Sequence, residues 1–370
     1  MSFDTFVWKI ASRCNLDCSY CYVYNLGDDS WKSQPKLMSE RVAAKAAGRV
    51  LEHALERGLT GVVINFHGGE PFLGGTRHLR SLLKCITDVF QDTGIRVSTA
   101  IQTNGLLFTD EIGDLLAELG IGLYVSVDGP PETNDKNRLD LRGRPIGGRL
   151  DAALPNITGP RHRAIFAGFL SVVDVRSNPR EVVDYLSAHQ PPMIDFLLPL
   201  NNHDRVPAEG VAAYGDWLCT AFDYWLDQQS QVRVRTFDDI ILRLMGEGAV
   251  NSDSEYLVVE TDGSLELDDT LKTAYAGAAK LDMNIFAHSL AQVAELSSVQ
   301  AMRNDLVLLC DSCRACNVVN VCRGGHVSHR YSEENGLRNP SVYCAALQQL
   351  IVHVWRRLVR ETNTTISPPV

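Results

Sequence analysis

The chain has 370 residues, 45% of them hydrophobic, with 45 acidic against 35 basic side chains and a formal net charge of −10. That length suits one large domain and a smaller one, and the acidic balance argues against phosphate-backbone binding, so no nucleic-acid partner is expected. No apolar run reaches membrane-spanning length and no basic stretch followed by an apolar one opens the chain, so a cytoplasmic protein with no membrane partner is expected.

The first half alternates strand and helix patterns. Residues 5–11 read as a strand, 39–59 as a helix capped by Ser39, 61–67 as a strand, 76–90 as a helix, 95–102 as a strand, 109–119 as a helix and 121–127 as a strand. Residues 163–175 form a long apolar strand, 179–188 a helix and 193–200 a sixth strand. Such alternation means parallel strands with helical crossovers. Six units predict an α/β fold, a partial (β/α)6 TIM-like barrel over residues 1–205, with function gathered at the C-terminal strand ends. In 206–254 a helical bridging segment is expected: Val211, Tyr214, Leu218, Phe222 and Trp225 fall at helical spacing, and 237–244 is helical again. Residues 255–261 read as a strand and Asp262-Gly263-Ser264 as a hairpin turn, opening a smaller domain over 255–361. A disordered tail is expected at 362–370.

Ten cysteines without an export signal are more consistent with metal ligands or reduced thiols than with disulfides. Cys14, Cys18 and Cys21 follow the first strand at a C-x3-C-x2-C spacing. Three thiolates from one tight loop suit one face of a cubic iron–sulfur cluster and leave one iron open; a zinc loop or a redox dithiol is the alternative. Cys85 and Cys219 stand alone in helical stretches and read as small buried apolar residues. Cys313-x2-Cys316-x5-Cys322, with Cys344 further on, can close all four positions around a second cluster, with a four-cysteine zinc site as the alternative.

Four more strand ends carry polar or glycine-rich segments: His67-Gly68-Gly69-Glu70-Pro71, Gln102-Thr103-Asn104-Gly105, Ser126-Val127-Asp128-Gly129 with Arg138 beyond, and Pro199-Leu200-Asn201-Asn202-His203. Paired glycines allow close backbone approach and Glu70 can accept from an ammonium group. Each segment alone also reads as an ordinary turn; their recurrence on the rim of the Cys loop is the argument. Lys136, Arg138, Arg142, Arg144 and Arg149 make 136–149 locally basic, which fits either an anionic ligand or a solvated loop.

Cys14, Cys18 and Cys21, with Tyr20 just before the third cysteine, resemble the signature of the radical S-adenosylmethionine (SAM) enzymes. The resemblance implies a SAM-binding 4Fe–4S cluster whose open iron holds SAM and whose electron releases a 5′-deoxyadenosyl radical. It also implies that Gly68, Gly69, Glu70 and Pro71 form the segment that holds the SAM amino group, that Ser126 contacts SAM and that Arg138 is a carboxylate partner. Tyr20 and Asn104 join them as cofactor-binding candidates.

The C-terminal cysteines and the tail Asn339-Pro340-Ser341-Val342-Tyr343-Cys344 resemble the SPASM extension of radical SAM peptide-modifying enzymes. This implies one auxiliary 4Fe–4S cluster on Cys313, Cys316, Cys322 and Cys344. The fuller pattern has further cysteines where this chain has Asp268 and His326, so a second auxiliary cluster would have only Cys310 and His326 to hold it. In sulfatase-maturing relatives an Asp directly follows the hairpin cysteine and acts as a base; the matching residue is Asp269, for which a turn or helix-capping role is the plainer reading.

Val7-Trp8-Lys9-Ile10-Ala11-Ser12-Arg13-Cys14, Tyr22-Val23-Tyr24, Trp31, Glu260-Thr261-Asp262-Gly263-Ser264 and Cys322-Arg323-Gly324-Gly325-His326 resemble the FxsB-type peptide maturases. That resemblance implies cyclophane formation in a ribosomally made precursor peptide, joining an aromatic ring carbon to the β-carbon of a nearby residue. The other readings are thioether or ether formation, epimerisation, or sulfatase-type oxidation of Ser or Cys; a non-catalytic iron–sulfur carrier or zinc adaptor is the alternative outside enzymes. A small electron donor such as flavodoxin or ferredoxin is the expected partner beside the peptide. With thirteen residues before Cys14, no separate leader-binding domain is expected there.

Overall fold

The computed structural model describes residues 3–228, 231–247, 256–303 and 308–362. Its strands are β1 Thr5–Ala11, β2 Gly61–Gly68, β3 Arg96–Thr103, β4 Gly122–Ser126, β5 Phe166–Val172, β6 Met193–Leu197, β7 Arg233–Val234, β8 Tyr256–Val259, β9 Ser264–Glu266 and β10 Lys280–Asn284. Two compact units emerge. The first comprises Met1–Ser126, Asn134–Gly168 and Ser254–Gln300; the second comprises Val127–Thr133, Phe169–Asp253 and Ala301–Val370. This grouping puts the β8–β10 hairpin region with the N-terminal strands, across the linear division expected at 205 and 255.

In the first unit the strand order is β10-β9-β8-β1-β2-β3-β4. Strands β1 to β4 run parallel, with Lys9 opposite His67, Phe66 opposite Ile101 and Gln102 opposite Tyr124. The crossovers are the helices Glu40–Arg57, Gly75–Phe90 and Asp110–Glu118, so the α/β expectation is borne out. Their starts follow local chemistry: Ser39 accepts from Val42 N at 3.2 Å and Thr109 from Ile112 N at 3.3 Å, each satisfying one orphan helix donor.

Side chains of one parity share a sheet face. Phe6, Trp8, Ile10, Ile64, Phe66, Ile101, Leu123 and Val125 are all buried, and Phe3 and Phe6 meet His53 of the helix Glu40–Arg57 at ring distances of 5.9 and 6.5 Å. That face is the core. The opposite parity carries Lys9, His67, Gln102 and Ser126, so the polar residues of the strand ends share the other face. On the far edge β8 joins β1 in parallel, and β8-β9-β10 continue antiparallel through the expected turn at Gly263, whose φ of +85° suits glycine.

In the second unit β5, β6 and β7 pair in parallel. The predicted strands 163–175 and 193–200 shorten to β5 and β6 because the chain turns after them: Asp174 O accepts from Ser177 N at 2.9 Å and Pro199 O from Asn201 N at 2.8 Å. The helix Val211–Asp227 buries Tyr214, Leu218 and Phe222, as the spacing predicted, while Trp225 stays half-exposed and donates Nε1 to Val232 O at 2.7 Å. It packs on the helix Cys344–Thr362, which the sequence reading did not mark. Nor did it mark Gly147–Thr158 of the first unit, where Gly147, Gly148 and Pro155 disguise a helix. The predicted tail from 363 on, and residue 255 of the predicted strand, lie outside the described residues. Among the described residues no helix is long and apolar enough to cross a membrane.

Candidate active site and cysteine clusters

Loop 14–21 leaves the end of β1 and is held from several sides. Asp17 N and Ser19 N donate to Leu139 O and Asn137 O at 2.8 and 2.9 Å, and Ser19 Oγ donates to Asn137 Oδ1 at 2.8 Å. Asn25 ties the loop to itself through Asp17 Oδ1 and Cys18 O. Arg138, only 4% exposed, donates Nη1 to the Tyr20 hydroxyl at 2.9 Å. Of the basic stretch 136–149, Arg138 alone among those cations is buried; Lys136, Arg142, Arg144 and Arg149 are exposed, and Arg144 pairs with Asp140.

Donors converge on the loop's sulfurs. Leu16 N approaches Cys14 Sγ at 3.4 Å and Asn104 Nδ2 at 3.8 Å, while Val23 N and Tyr24 N serve Cys21. Burial pushes Cys14 up to about 12, helped by Glu70, Cys18 and Cys21, and it pushes Cys21 up as well. Buried thiols with N–H groups aimed at them need a cationic centre to lose their protons, and such N–H groups tune cluster sulfurs. Among the described residues no group of three or more His, Cys, Asp or Glu is gathered around a single ion. Three thiols on one loop, with N–H groups aimed at Cys14 and Cys21, fit one face of an iron–sulfur cluster.

The segment Gly68-Gly69-Glu70 is pressed against this loop. Gly68 has a φ of +146°, and a Cβ there would lie 2.1 Å from Ala11 O; at Gly69 it would lie 2.0 Å from the Tyr24 hydroxyl and 2.2 Å from Arg13 O. The close approach made by these glycines is to the chain itself. Glu70 is fully buried; it accepts from Thr103 Oγ1 at 2.7 Å, Phe72 N at 3.1 Å and Asn104 N at 2.8 Å. Burial raises its pKa, while those three donors oppose the rise. Asn104 also donates to Asn15 Oδ1 at 2.8 Å, and half-buried Ser126 accepts from Gln102 Nε2 at 3.5 Å.

Asp269 opens the short helix Asp269–Thr273 after β9 and is buried. The plainer capping role falls to its neighbour: Asp268 accepts from Thr270 N at 2.9 Å. Asp269 Oδ2 instead accepts from the Tyr22 hydroxyl at 2.7 Å and pairs with Lys9 Nζ. Burial opposes its ionisation, but the charge of Lys9, with Lys272 behind it, outweighs burial and holds it well below the usual carboxylate range. Lys272 sits between Glu260 at 2.6 Å and Glu266 at 2.8 Å. Sequence reading gave no role to Lys9, Tyr22 or Lys272. Lys9 had a legible signal, a lone cation inside the apolar strand 5–11.

In the second unit the five thiols of Cys310, Cys313, Cys316, Cys322 and Cys344 lie within electrostatic reach of one another. Cys310 is hydrogen-bonded to Cys313 and to Ser312 Oγ at 3.2 Å, and Cys316 Sγ accepts from Gln348 Nε2 at 3.7 Å. Burial raises Cys313 to about 12. His326 bonds Ser328 Oγ at 2.8 Å through Nδ1. The Cys322-Arg323-Gly324-Gly325 turn wraps the buried Arg330, which donates to Gly324 O at 3.0 Å, Arg323 O at 2.9 Å and Gly325 O at 2.8 Å. The left-handed φ of residues 323–325 aims those carbonyls inward. Of the two isolated cysteines, Cys219 is buried as expected, whereas Cys85 is half-exposed near Glu40 O.

Residues 8–153 match the model of the Radical SAM superfamily. The chain is similar to the cysteine-type anaerobic sulfatase-maturating enzyme of Clostridium perfringens, with 24% identity over 95% of this chain and 96% of that protein. It is also similar to the serine-type enzyme of Klebsiella aerogenes, with 27% identity over 88% of this chain and 80% of that one. Solved structures of native anSMEcpe, with bound AdoMet and with AdoMet plus the Cp18Cys peptide, share the fold at a TM-score of 0.82, with 22% identity over 97% of this chain and 99% or 98% of theirs. The three thiols of the loop after β1 lie inside the stretch 8–153 that matches this superfamily, so that stretch carries the radical SAM region of an enzyme whose cofactors are S-adenosylmethionine and a 4Fe–4S cluster.

Proposed function

We propose that this enzyme oxidises a side chain of a peptide by radical chemistry, with Cys14, Cys18 and Cys21 holding the SAM cluster and Asp269 as the base. The observation that carries it is the 2.7 Å hydrogen bond from Tyr22, the residue after Cys21, to Asp269. It sets an ionised carboxylate directly beside the cysteine loop. Cys14, Cys18 and Cys21 would hold the cluster that, with SAM bound, would supply the hydrogen-abstracting radical, and Cys313, Cys316, Cys322 and Cys344 would hold an auxiliary cluster that would accept the electron left on the peptide. The proton goes to Asp269, which needs only to be ionised and within hydrogen-bond reach. Tyr20, Gly68, Gly69, Glu70, Asn104, Ser126 and Arg138 surround the cofactor in this reading, and a flavodoxin or ferredoxin in the cytoplasm donates electrons. Cys310 and His326 remain as spare ligands.

Two products fit the loss of two hydrogens. A cyclophane bond is favoured by the FxsB-type segments around Trp8, Tyr22 and Cys322. Oxidation of Ser or Cys is favoured by the similarity to sulfatase-maturating enzymes along nearly the whole chain. The test is anaerobic incubation of the reduced, iron-reconstituted enzyme with SAM and peptides carrying Ser, Cys and aromatic residues. 5′-Deoxyadenosine is expected together with a peptide lighter by two hydrogens for a crosslink or a Ser-derived aldehyde, or, for Cys, a peptide that has lost two hydrogens and carries oxygen from water in place of sulfur, released as hydrogen sulfide; no 5′-deoxyadenosine would overturn the reading. Tandem mass spectrometry separates the products, because a crosslink suppresses cleavage between the joined residues and an aldehyde is trapped by hydrazine.

A further inference from the structure

Lys9 is a charged residue in the middle of the first unit's most enclosed strand. It is 3% exposed, and the apolar residues Trp8 and Ile10 flank it. An unpaired ammonium there would be costly, and its three protons all have acceptors. One faces Asp269 Oδ2, one the Tyr22 hydroxyl at 3.3 Å and one His67 Nδ1 at 2.8 Å. A lysine that donates to Nδ1 requires that nitrogen to be a lone pair, so His67 is the neutral tautomer with its proton on Nε2. Burial and then Lys9 push His67 down to about 3, and Gln102 is its further partner. Gln102 in turn donates to Ser126 Oγ at 3.5 Å. Side chains from β1, β2, β3 and β4 are thus joined laterally, and Asp269 stands at one end.

We propose that Lys9 is the positioning residue of Asp269, holding its carboxylate in place and in proton-accepting form, with His67 as the neutral anchor that aims the lysine. This rests on the reading of Asp269 as the base. The argument is one of opposing magnitudes. Full burial alone disfavours a carboxylate strongly, and a neighbouring cation is what reverses that. The ionisable groups around Asp269 are Lys9 from β1, Tyr22 from the cysteine loop, His67 from β2, Tyr256 from β8, Glu266 from β9, and Asp268 and Lys272 on its own segment. Lys272 is already shared between two glutamates, and His67 is neutral. Lys9 is therefore the cation committed to Asp269. Without it, burial prevails and Asp269 becomes a carboxylic acid, unable to take up the substrate proton.

Infrared difference spectra between the wild type and Asp269→Asn isolate the Asp269 carboxyl during a pH titration of the holoenzyme. In the wild type no protonated-carboxyl band is expected down to about pH 5; in Lys9→Met that band is expected to appear at least two pH units higher than in the wild type, as burial acts alone. Lys9→Arg, which keeps the cation, is expected to titrate like the wild type. With SAM and a synthetic peptide carrying Cys and Ser beside an aromatic residue, Lys9→Met should move the acid limb of the product-to-5′-deoxyadenosine ratio upward by a similar amount. If Lys9→Met titrates like the wild type, or if Asp269 in the wild type is protonated above about pH 5, the proposal is overturned. Should Lys9→Met not fold, Lys9→Gln, an uncharged side chain that still hydrogen-bonds, takes its place and is expected to show the same upward shift; a titration like that of the wild type in Lys9→Gln overturns the proposal. Should Asp269→Asn still yield product at the wild-type ratio, the base reading fails instead, whatever the infrared titration shows.

Discussion

The guanidinium of Arg138 donates to the hydroxyl of Tyr20 at 2.9 Å, joining the segment after β4 to the residue that precedes the third cysteine of the loop. Two residues 118 positions apart thereby fix the side of the loop that the segment 137–140 also grips through backbone bonds. Tyr20→Phe deletes the acceptor and leaves a buried guanidinium short of one partner, at a cost of about 1–3 kcal/mol. Urea unfolding of the purified chain should show it. Arg138→Met should in addition weaken SAM binding about tenfold, read by calorimetry on the reconstituted enzyme.

The two cysteine sets should separate by phenotype. Ala at Cys14, Cys18 or Cys21 should abolish 5′-deoxyadenosine formation and lower the iron content. Cys313→Ala should retain some SAM cleavage but form no peptide product. Unaltered product yield in Cys313→Ala would show that the second set is dispensable.

Glu70 organises the strand ends. Its carboxylate answers three donors, and Glu70→Ala would orphan Thr103 Oγ1, Phe72 N and Asn104 N together. The expected loss is about 2–4 kcal/mol, with Glu70→Gln at about half that because an amide oxygen still serves one side. Denaturant midpoints check the order.

His67 makes the fold sensitive to mild acid. Its pKa drops from an ordinary 6.5 to about 3 in the folded chain, through burial first and Lys9 second. The unfolded chain takes up this proton as pH falls through 6.5 and the folded chain refuses it until about 3, so stability is lost across that window at about 1.4 kcal/mol per pH unit. Between about pH 7.5 and about 5.5 the wild type should therefore lose about 1.4 kcal/mol more than His67→Gln, which keeps an acceptor for Lys9 and does not titrate. Urea curves at the two pH values measure the difference.

Much of this was legible in the residues because it is local. Ser39 and Thr109 cap helices from their own positions, Gly263 turns a hairpin in place, and the apolar, β-rich runs at 61–67 and 121–127 mark strands. The cysteine spacing likewise needs nothing distant. What was not legible was why the polar face is ionised as it is. The role of Gly68 and Gly69 was read as room for a ligand, and the structure spends it on Ala11, Arg13 and Tyr24. The helix Gly147–Thr158 was missed because a proline and two glycines carry a low local preference that tertiary burial of Leu150, Leu154 and Ile157 overrides.

Sequence alone determined the cysteine loop, the order of the first four strands with their crossover helices and the turn at Gly263, since these depend on neighbours a few residues away. Tertiary structure alone decided that Lys9 meets Asp269, that His67 stays neutral and that Arg138 reaches Tyr20. The physical reason is register: parallel pairing of β1 with β2 and with β8 brings together side chains from opposite ends of the chain, and only that pairing says which buried charge finds which partner.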